Sequence, residues 1–171
     1  NRHLEVVIRF AEEAVSDFRA TDDYDAVAIA FNMDAENNLV HLSLTSAENQ
    51  AETYAAYRKS AYLDENLQPH KKYGSISKLP FYVEELWEKP NIASLELMTE
   101  EQLKEFRGAK RVKKFYTICG NALLDFMSTD SFDNLLGKGH DRFFFDVINK
   151  GDSSDIAMEY MRVINKNRQR R

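Results

Sequence analysis

The chain has 171 residues and a mass of 19.8 kDa, which is the size of one domain. Hydrophobic residues make up 43% of it, enough for a core, and its one cysteine excludes a disulfide framework or a multi-thiolate zinc site. No apolar run approaches the roughly 20 residues that span a membrane, and no secretory leader is recognisable. Composition therefore predicts one cytoplasmic domain over 1–171 with no membrane partner.

Acidic charge is concentrated at the start of the sequence. The net charge is −5, and residues 1–52 hold eleven acidic side chains against three basic ones, a balance of −8. The tail 166–171 is basic instead, and it can be either ordered or flexible. A negative field attracts basic partners and repels nucleic acid. We therefore expect a basic protein partner rather than a nucleic acid, with a surface that only keeps the protein soluble as the alternative.

The first predicted elements are a helix and a hairpin. Apolar residues recur with helical spacing over 4–18. Larger apolar residues then alternate with small ones over 24–33 and with polar ones over 39–45, which is the period of a strand. Turn-forming residues over 34–38 separate the two runs, so we predict an antiparallel hairpin. The small residues on one face of its first strand indicate close packing, most simply by a helix.

Capping residues mark two later helices. Ser46 can cap a helix over roughly 47–61, and Thr99 with Gln102 fits a capping box. The sequence over 63–79 looks irregular, and periodicity does not decide between helix and strand for 80–88.

The last third predicts helices around one more strand. A helical stretch passes through Val112 to Met127 after a break at Gly108, and a short amphipathic turn follows at 131–136. Residues 142–149 read as a strand that joins the hairpin, and a final helix begins at Ser153 or Ser154. The prediction is one α+β domain, with a small antiparallel sheet of strands near 24–33, 39–45 and 142–149 packed by several helices.

Few residues suggest chemistry. Cys119 lies on an apolar helical stripe without an evident base, so we interpret it as a core residue rather than a nucleophile. The four histidines, His3, His41, His70 and His140, form no ligand-spaced pair. We therefore predict no metal, no cofactor and no catalytic residue.

Two basic segments offer other functions. The turn from Gly137 to Arg142 could bind an anion through Lys138, His140 and Arg142, although familiar phosphate loops precede a helix and this one precedes a predicted strand. It supports an alternative function, a small-ligand or phosphate-binding protein or enzyme. In the second segment, four bases share one face of a predicted helix, which could contact phosphate, pair with the acidic third or simply be solvated. These bases are Arg107, Lys110, Arg111 and Lys114.

The order of these parts resembles a known family. A leading helix is followed by an Ala-rich strand from Tyr24 to Phe31, a segment with Pro80 and Trp87, and a long helix. A Gly-x-Gly-x-x-Arg string then runs into the apolar strand at 142–149, followed by Gly151-Asp152-Ser153-Ser154 and a near-terminal Asn165. This arrangement is similar to the bacterial domain-of-unknown-function family numbered 4303.

The resemblance implies an immunity-like protein that binds a cognate bacterial toxin and occludes it, and it implies no catalytic residue. The charge distribution agrees, since an acidic inhibitor associates rapidly with a basic toxin. We expect an electrostatic face of acidic residues, with one aromatic anchor if that residue is exposed. The acidic residues are Asp22, Asp23, Asp25, Asp34 and Glu36, and the anchor is Trp87.

Overall fold

The computed structural model describes residues 2–60, 84–136 and 141–146. The elements in chain order are helix α1 (Arg2–Asp22), strands β1 (Ala26–Asp34) and β2 (Leu39–Ser46), helix α2 (Ala47–Ser60), a 3-10 turn (Glu84–Leu86), strand β3 (Lys89–Leu95), helices α3 (Glu100–Leu103), α4 (Ala109–Phe126) and α5 (Asp130–Asn134), and strand β4 (Asp141–Asp146). The α+β class is confirmed. The predicted final helix and the basic tail lie outside the described residues.

The sheet has the strand order β3-β2-β1-β4. The predicted hairpin forms, since β1 and β2 pair antiparallel from Asp34 with Leu39 back to Ala26 with Ser46. Strand β4 also joins this hairpin as predicted, but it runs parallel to β1, with Ala28 opposite Asp141. A parallel pair needs a long crossover, and the chain between β1 and β4 supplies one through its helices.

Strand β3 was not predicted, because the sequence 89–95 lacks a clear alternation and contains Pro90. The strand lies at the edge of the sheet, antiparallel to β2. Proline is tolerated in an edge strand because it removes a donor that has no neighbour there. Its register is irregular between Ala93 and Lys89, opposite Leu42 and Leu44 of β2, so the strand bulges near Asn91, whose φ is +48°.

One face of the sheet packs on the helices. Its residues include Ile29 and Phe31 of β1, both fully buried, and Phe31 meets Phe126 of α4 edge to face at 5.7 Å. Phe126 in turn meets Phe132 of α5 at 5.3 Å. Helix α1 buries Val7, Ala11 and Val15 in the same cluster, one residue per turn. The predicted core position of Cys119 is confirmed, since it is 1% exposed.

The opposite face carries small and polar side chains. Ala28 and Ala30 of β1 pair with Thr45 and Ser43 of β2, and all four residues are buried.

Ser46 accepts a hydrogen bond from the backbone N–H of Asn49 at 3.2 Å, which confirms the predicted cap of α2. The Thr99 capping box is also confirmed, and Gly108 separates α3 from α4.

Among residues 2–60, 84–136 and 141–146, no helix combines the length and apolar character needed to cross a membrane.

Candidate functional site

The predicted acidic residues occupy opposite ends of β1. Asp23 and Asp25 are exposed just before the strand, whereas Glu36 is exposed in the turn that follows it. Nine residues of strand separate the two groups, which is about 30 Å at the rise of an antiparallel strand. The two groups therefore do not form one continuous surface. The side chain of Asp22, the last residue of α1, is outside the described part.

Two of the predicted partner-binding residues, Asp34 and Trp87, are buried and do not lie on the surface. Asp34 is 5% exposed, because its carboxylate accepts hydrogen bonds from Asn37 and His41. Trp87 is 6% exposed, so it cannot serve as an exposed anchor.

Other carboxylates join Asp23 and Asp25 at their end of the sheet. Tyr24, between them, donates its hydroxyl to Oε1 of Glu88 at 2.7 Å. Ser46 donates to the same oxygen at 3.2 Å. The backbone carbonyl of Glu85 accepts from the side chain of Asn49 at 3.1 Å, in the first turn of α2 beside Glu48. We call this set the acidic end, and it consists of five exposed residues, Asp23, Asp25, Glu48, Glu85 and Glu88.

The surroundings of Tyr24 at the acidic end also shift the pKa of its hydroxyl. Burial and the hydrogen bond to Glu88 raise the pKa of Tyr24 to about 12. The ammonium of Lys89 lies 5.6 Å from the centre of the Tyr24 ring, a cation–π contact within a mainly negative surface.

At the other end of the sheet, Asp34, His41 and Ser94 form a hydrogen-bonded chain across three strands. Nε2 of His41 lies 3.0 Å from Oδ2 of Asp34. Nδ1 of the same ring lies 2.7 Å from Oγ of Ser94. His41 and Ser94 are directly opposite each other in the pairing of β2 with β3, so their side chains lie on the same face.

The carboxylate of Asp34 is held in its charged form. Burial raises its pKa, but hydrogen bonds from the Asn37 side chain, from His41 and from the Asn37 backbone outweigh this, so the pKa of Asp34 lies below its ordinary value of 3.8. A charged carboxylate only accepts hydrogen bonds. Asp34 therefore fixes the orientation of the His41 ring.

Two asparagines extend this polar face. Asn32 pairs with His41 across the sheet, and its Nδ2 donates to Oδ1 of Asn91 at 3.3 Å. The bulge in β3 also brings the backbone N–H of Asn91 within 2.9 Å of Oγ of Ser43, to which it donates. Oδ1 of Asn32 is buried and accepts no hydrogen bond from the part of the chain that the structure describes.

The sequence did not predict the hydrogen-bonded set of Asp34, His41 and Ser94. The alternation over 39–45 already put His41 on the polar side of the hairpin, and the turn put Asp34 near it. Ser94 had no such signal, because β3 was not recognised as a strand.

The four bases predicted to share one helix face do not all lie in the same helix. Arg107 precedes Gly108, whose φ of +57° lies outside the helical range, so Arg107 does not belong to α4. Arg111 pairs with Glu100 at 3.2 Å, and the ammonium of Lys114 lies 5.3 Å from the centre of the Phe106 ring. Lys110, Arg111 and Lys114 still share one side of α4, so the basic face is shorter than predicted and its Arg111 is paired with an acid.

The alternative anion site cannot be built from the described residues. Lys138 and His140 lie outside them, and the side chain of Arg142 in β4 is not described either.

A shallow groove of about 540 Å³ lies between α1 and α5. Glu12 and Arg19 of α1 face Asp130 and Ser131 of α5 across it, and Ser131 donates to Oε1 of Glu12 at 2.6 Å. The groove thus adds carboxylates to a surface that is already acidic.

In the described ranges, no group of three or more His, Cys, Asp or Glu side chains could hold a metal ion.

Comparison of the chain with family models, with curated proteins and with solved structures finds no match.

Proposed function

We propose that the protein is a cytoplasmic inhibitor that binds a basic protein partner through its acidic surface and occludes it. The partner class, a bacterial toxin, rests on the resemblance to the family numbered 4303.

The observation that carries the proposal is the exposure of the acidic residues in the first third. Of the eleven acidic residues over 1–52, nine are exposed, whereas only Arg2, Arg9 and Arg19 oppose them. The exposed acids are Glu5, Glu12, Glu13, Asp17, Asp23, Asp25, Glu36, Glu48 and Glu52. Exposed charge of one sign accelerates the approach of an oppositely charged protein, and this acceleration weakens as salt is added.

The acidic end is the part of this surface that we assign to the contact. Its carboxylates come from the segment before β1, from α2 and from the segment before β3, and the hydrogen bonds of Tyr24 and Ser46 to Glu88 hold these elements together. These bonds fix the carboxylate of Glu88, so this side chain loses little further entropy on binding. The cluster is therefore suited to a cationic surface that must be met in one orientation.

The test uses charge reversal at the acidic end. The double variant Asp23→Lys with Asp25→Lys is compared with a control of equal charge change, Glu101→Lys with Glu105→Lys, whose exposed side chains lie outside the acidic end. The partner is first captured on the immobilised wild-type protein from a lysate of the source organism. It is then purified, and association rates are measured at low and high salt.

We expect the acidic-end variant to lower the association rate about tenfold or more at low salt, and the control to change it much less. Co-expression with the partner should restore growth for wild type and the control only. A partner whose association responds to neither salt nor the acidic-end variant would overturn the assignment. A partner that is not inhibited would overturn the function.

A further inference from the structure

The chain of Asp34, His41 and Ser94 has the order of groups found in nucleophilic serine sites. A hydroxyl lies within hydrogen-bond distance of an imidazole nitrogen, at 2.7 Å. The other ring nitrogen lies 3.0 Å from a carboxylate. This sequence of nucleophile, base and orienting acid identifies activated serines in unrelated folds.

The direction of each hydrogen bond follows from the charge of Asp34. Its carboxylate only accepts, so Nε2 of His41 must carry the proton in the bond between them. In the neutral ring, Nδ1 then has the lone pair, and the hydroxyl of Ser94 must donate to it. The ring is therefore poised to remove a proton from Ser94, with Asp34 stabilising the resulting imidazolium.

Asp34, His41 and Ser94 differ in burial as a nucleophilic serine site requires, with the acid and the base protected and the hydroxyl exposed. The side chain of Asp34 is 7% exposed and that of His41 is 13% exposed. Ser94 is exposed on the edge strand β3. The base and the orienting acid are thus held in a protected position, while the hydroxyl is open to a substrate.

Two independent features lie beside the chain. Asn91, three residues before Ser94, has a φ of +48° within the bulge of β3, a strained conformation of the kind that concentrates at functional sites. Asn32, which pairs with His41 across the sheet, is only 6% exposed. Its Oδ1 accepts no hydrogen bond from the described residues. Unsatisfied buried polar atoms are uncommon in folded proteins, so this oxygen marks the surroundings of His41 as atypical.

We propose that Ser94 is a catalytic nucleophile for carboxylic esters, with His41 as its base and Asp34 as a positioning residue. Oγ of Ser94 attacks the ester carbonyl carbon while its proton moves to Nδ1 of His41. The bond from that carbon to the alcohol oxygen breaks, and His41 returns the proton to the departing alcohol. Water then attacks the acyl-serine by the same proton route, which releases the carboxylic acid and restores Ser94.

The proposal is tested with a fluorophosphonate probe, which phosphonylates activated serines with loss of fluoride. Intact mass and peptide mapping should find one adduct per wild-type chain, on Ser94. Ser94→Ala should abolish it, whereas Ser128→Ala, which removes an exposed serine outside the chain of hydrogen bonds, should leave it unchanged. We expect His41→Ala to slow labelling about 100-fold or more.

Asp34 has its own readout, because it acts through His41. Asp34→Asn should slow labelling even when the thermal melting of the variant shows that it is folded, since an amide can hold the ring in the wrong tautomer. Asp34→Glu should restore part of the rate. Hydrolysis of p-nitrophenyl acetate should follow the same order among these variants.

Loss of folding in His41→Ala would not remove the test. Ser94→Cys places a thiol beside the imidazole, and its alkylation by iodoacetamide should be at least about tenfold faster than that of Ser128→Cys. Equal alkylation rates would overturn the proposal. Absence of an adduct on Ser94 of the wild-type chain, or an adduct spread over other serines, would also overturn it.

Discussion

The hydroxyl of Tyr24 and a carboxylate oxygen of Glu88 lie 2.7 Å apart although 64 positions separate the two residues in the chain. This hydrogen bond joins the start of β1 to the start of β3, two strands that are not neighbours in the sheet. Ser46, at the end of β2 between them, donates to the same carboxylate. One carboxylate thus connects three strands at the acidic end.

Removal of the Tyr24 hydroxyl should destabilise the protein. Tyr24→Phe keeps the ring that meets Phe18 edge to face at 5.4 Å, so it deletes the hydrogen bond alone. We expect the free energy of unfolding to fall by about 1 kcal/mol at neutral pH, measured by urea denaturation. A control, Glu88→Gln, keeps an acceptor oxygen and should lose less.

The same variant should reveal an alkaline transition. Because the folded pKa of Tyr24 is raised from 10.0 to about 12, the stability that its hydroxyl contributes is complete below pH 10 and is lost as the pH rises towards 12. The difference in unfolding free energy between wild type and Tyr24→Phe should therefore shrink over this window. A difference that grows with pH would contradict the assignment.

Acid should weaken the interaction of Asp34 with its neighbours. Its folded pKa lies below 3.8, so its contribution is present above that value and is lost as the pH falls through the lower, folded pKa. Asp34→Asn should cost about 1–3 kcal/mol at neutral pH, because it leaves the His41 and Asn37 donors facing another donor. Urea midpoints of the two proteins should converge in acid, and parallel curves would refute this origin of the cost.

Gly108 should resist substitution for a reason of backbone conformation alone. It has φ +57° and ψ −131°, and a Cβ built on it would meet nothing within 4 Å. Gly108→Ala should therefore cost about 1–3 kcal/mol of backbone strain without any clash. A thermal melt compares it with the neighbouring exposed change Ala109→Ser, which should be nearly neutral; equal stability of the two variants would show that the backbone relaxes.

Cys119 should be unreactive while the protein is folded. Burial raises the pKa of its thiol from 9.0 to about 12, and only the thiolate is a nucleophile. A disulfide reagent such as Ellman's should modify it at neutral pH only after denaturant is added. Rapid reaction of the native protein, with Cys119→Ser as the unreactive control, would show that the helix containing it opens.

Local signals explain what the sequence predicted well. The hairpin follows from alternation, the caps at Ser46 and Thr99 from side chains next to the N–H groups they satisfy, and the burial of Cys119 from helical spacing. Each of these depends on residues close together in the chain. The non-local features were missed: Pro90 obscured β3, and no pattern reports whether β4 runs parallel or antiparallel to β1.

In the candidate sites too, the residues predicted from local sequence differ from those that only tertiary contacts bring together. Asp23 and Asp25 were predicted as surface acids and are exposed, but Glu85 and Glu88 join them only through tertiary pairing. Asp34 was assigned to the surface because acids usually are exposed. The turn amide of Asn37 and the ring of His41 supply the hydrogen bonds that allow it to be buried instead, and Ser94 completes the chain only because β3 pairs with β2.

The parallel pairing of β1 with β4 sets an order for biosynthesis. Strand β1 can close on β2 as soon as both have been made, but its second edge waits for partners more than 100 residues further on. At typical translation rates this is a delay of roughly 5 to 20 s. During that interval the nascent chain presents an unpaired, apolar strand edge, which is a template for association with other chains. Early arrest of translation or loss of the β4 segment should therefore yield insoluble protein, and chaperone demand should peak before the ribosome reaches the end of β4.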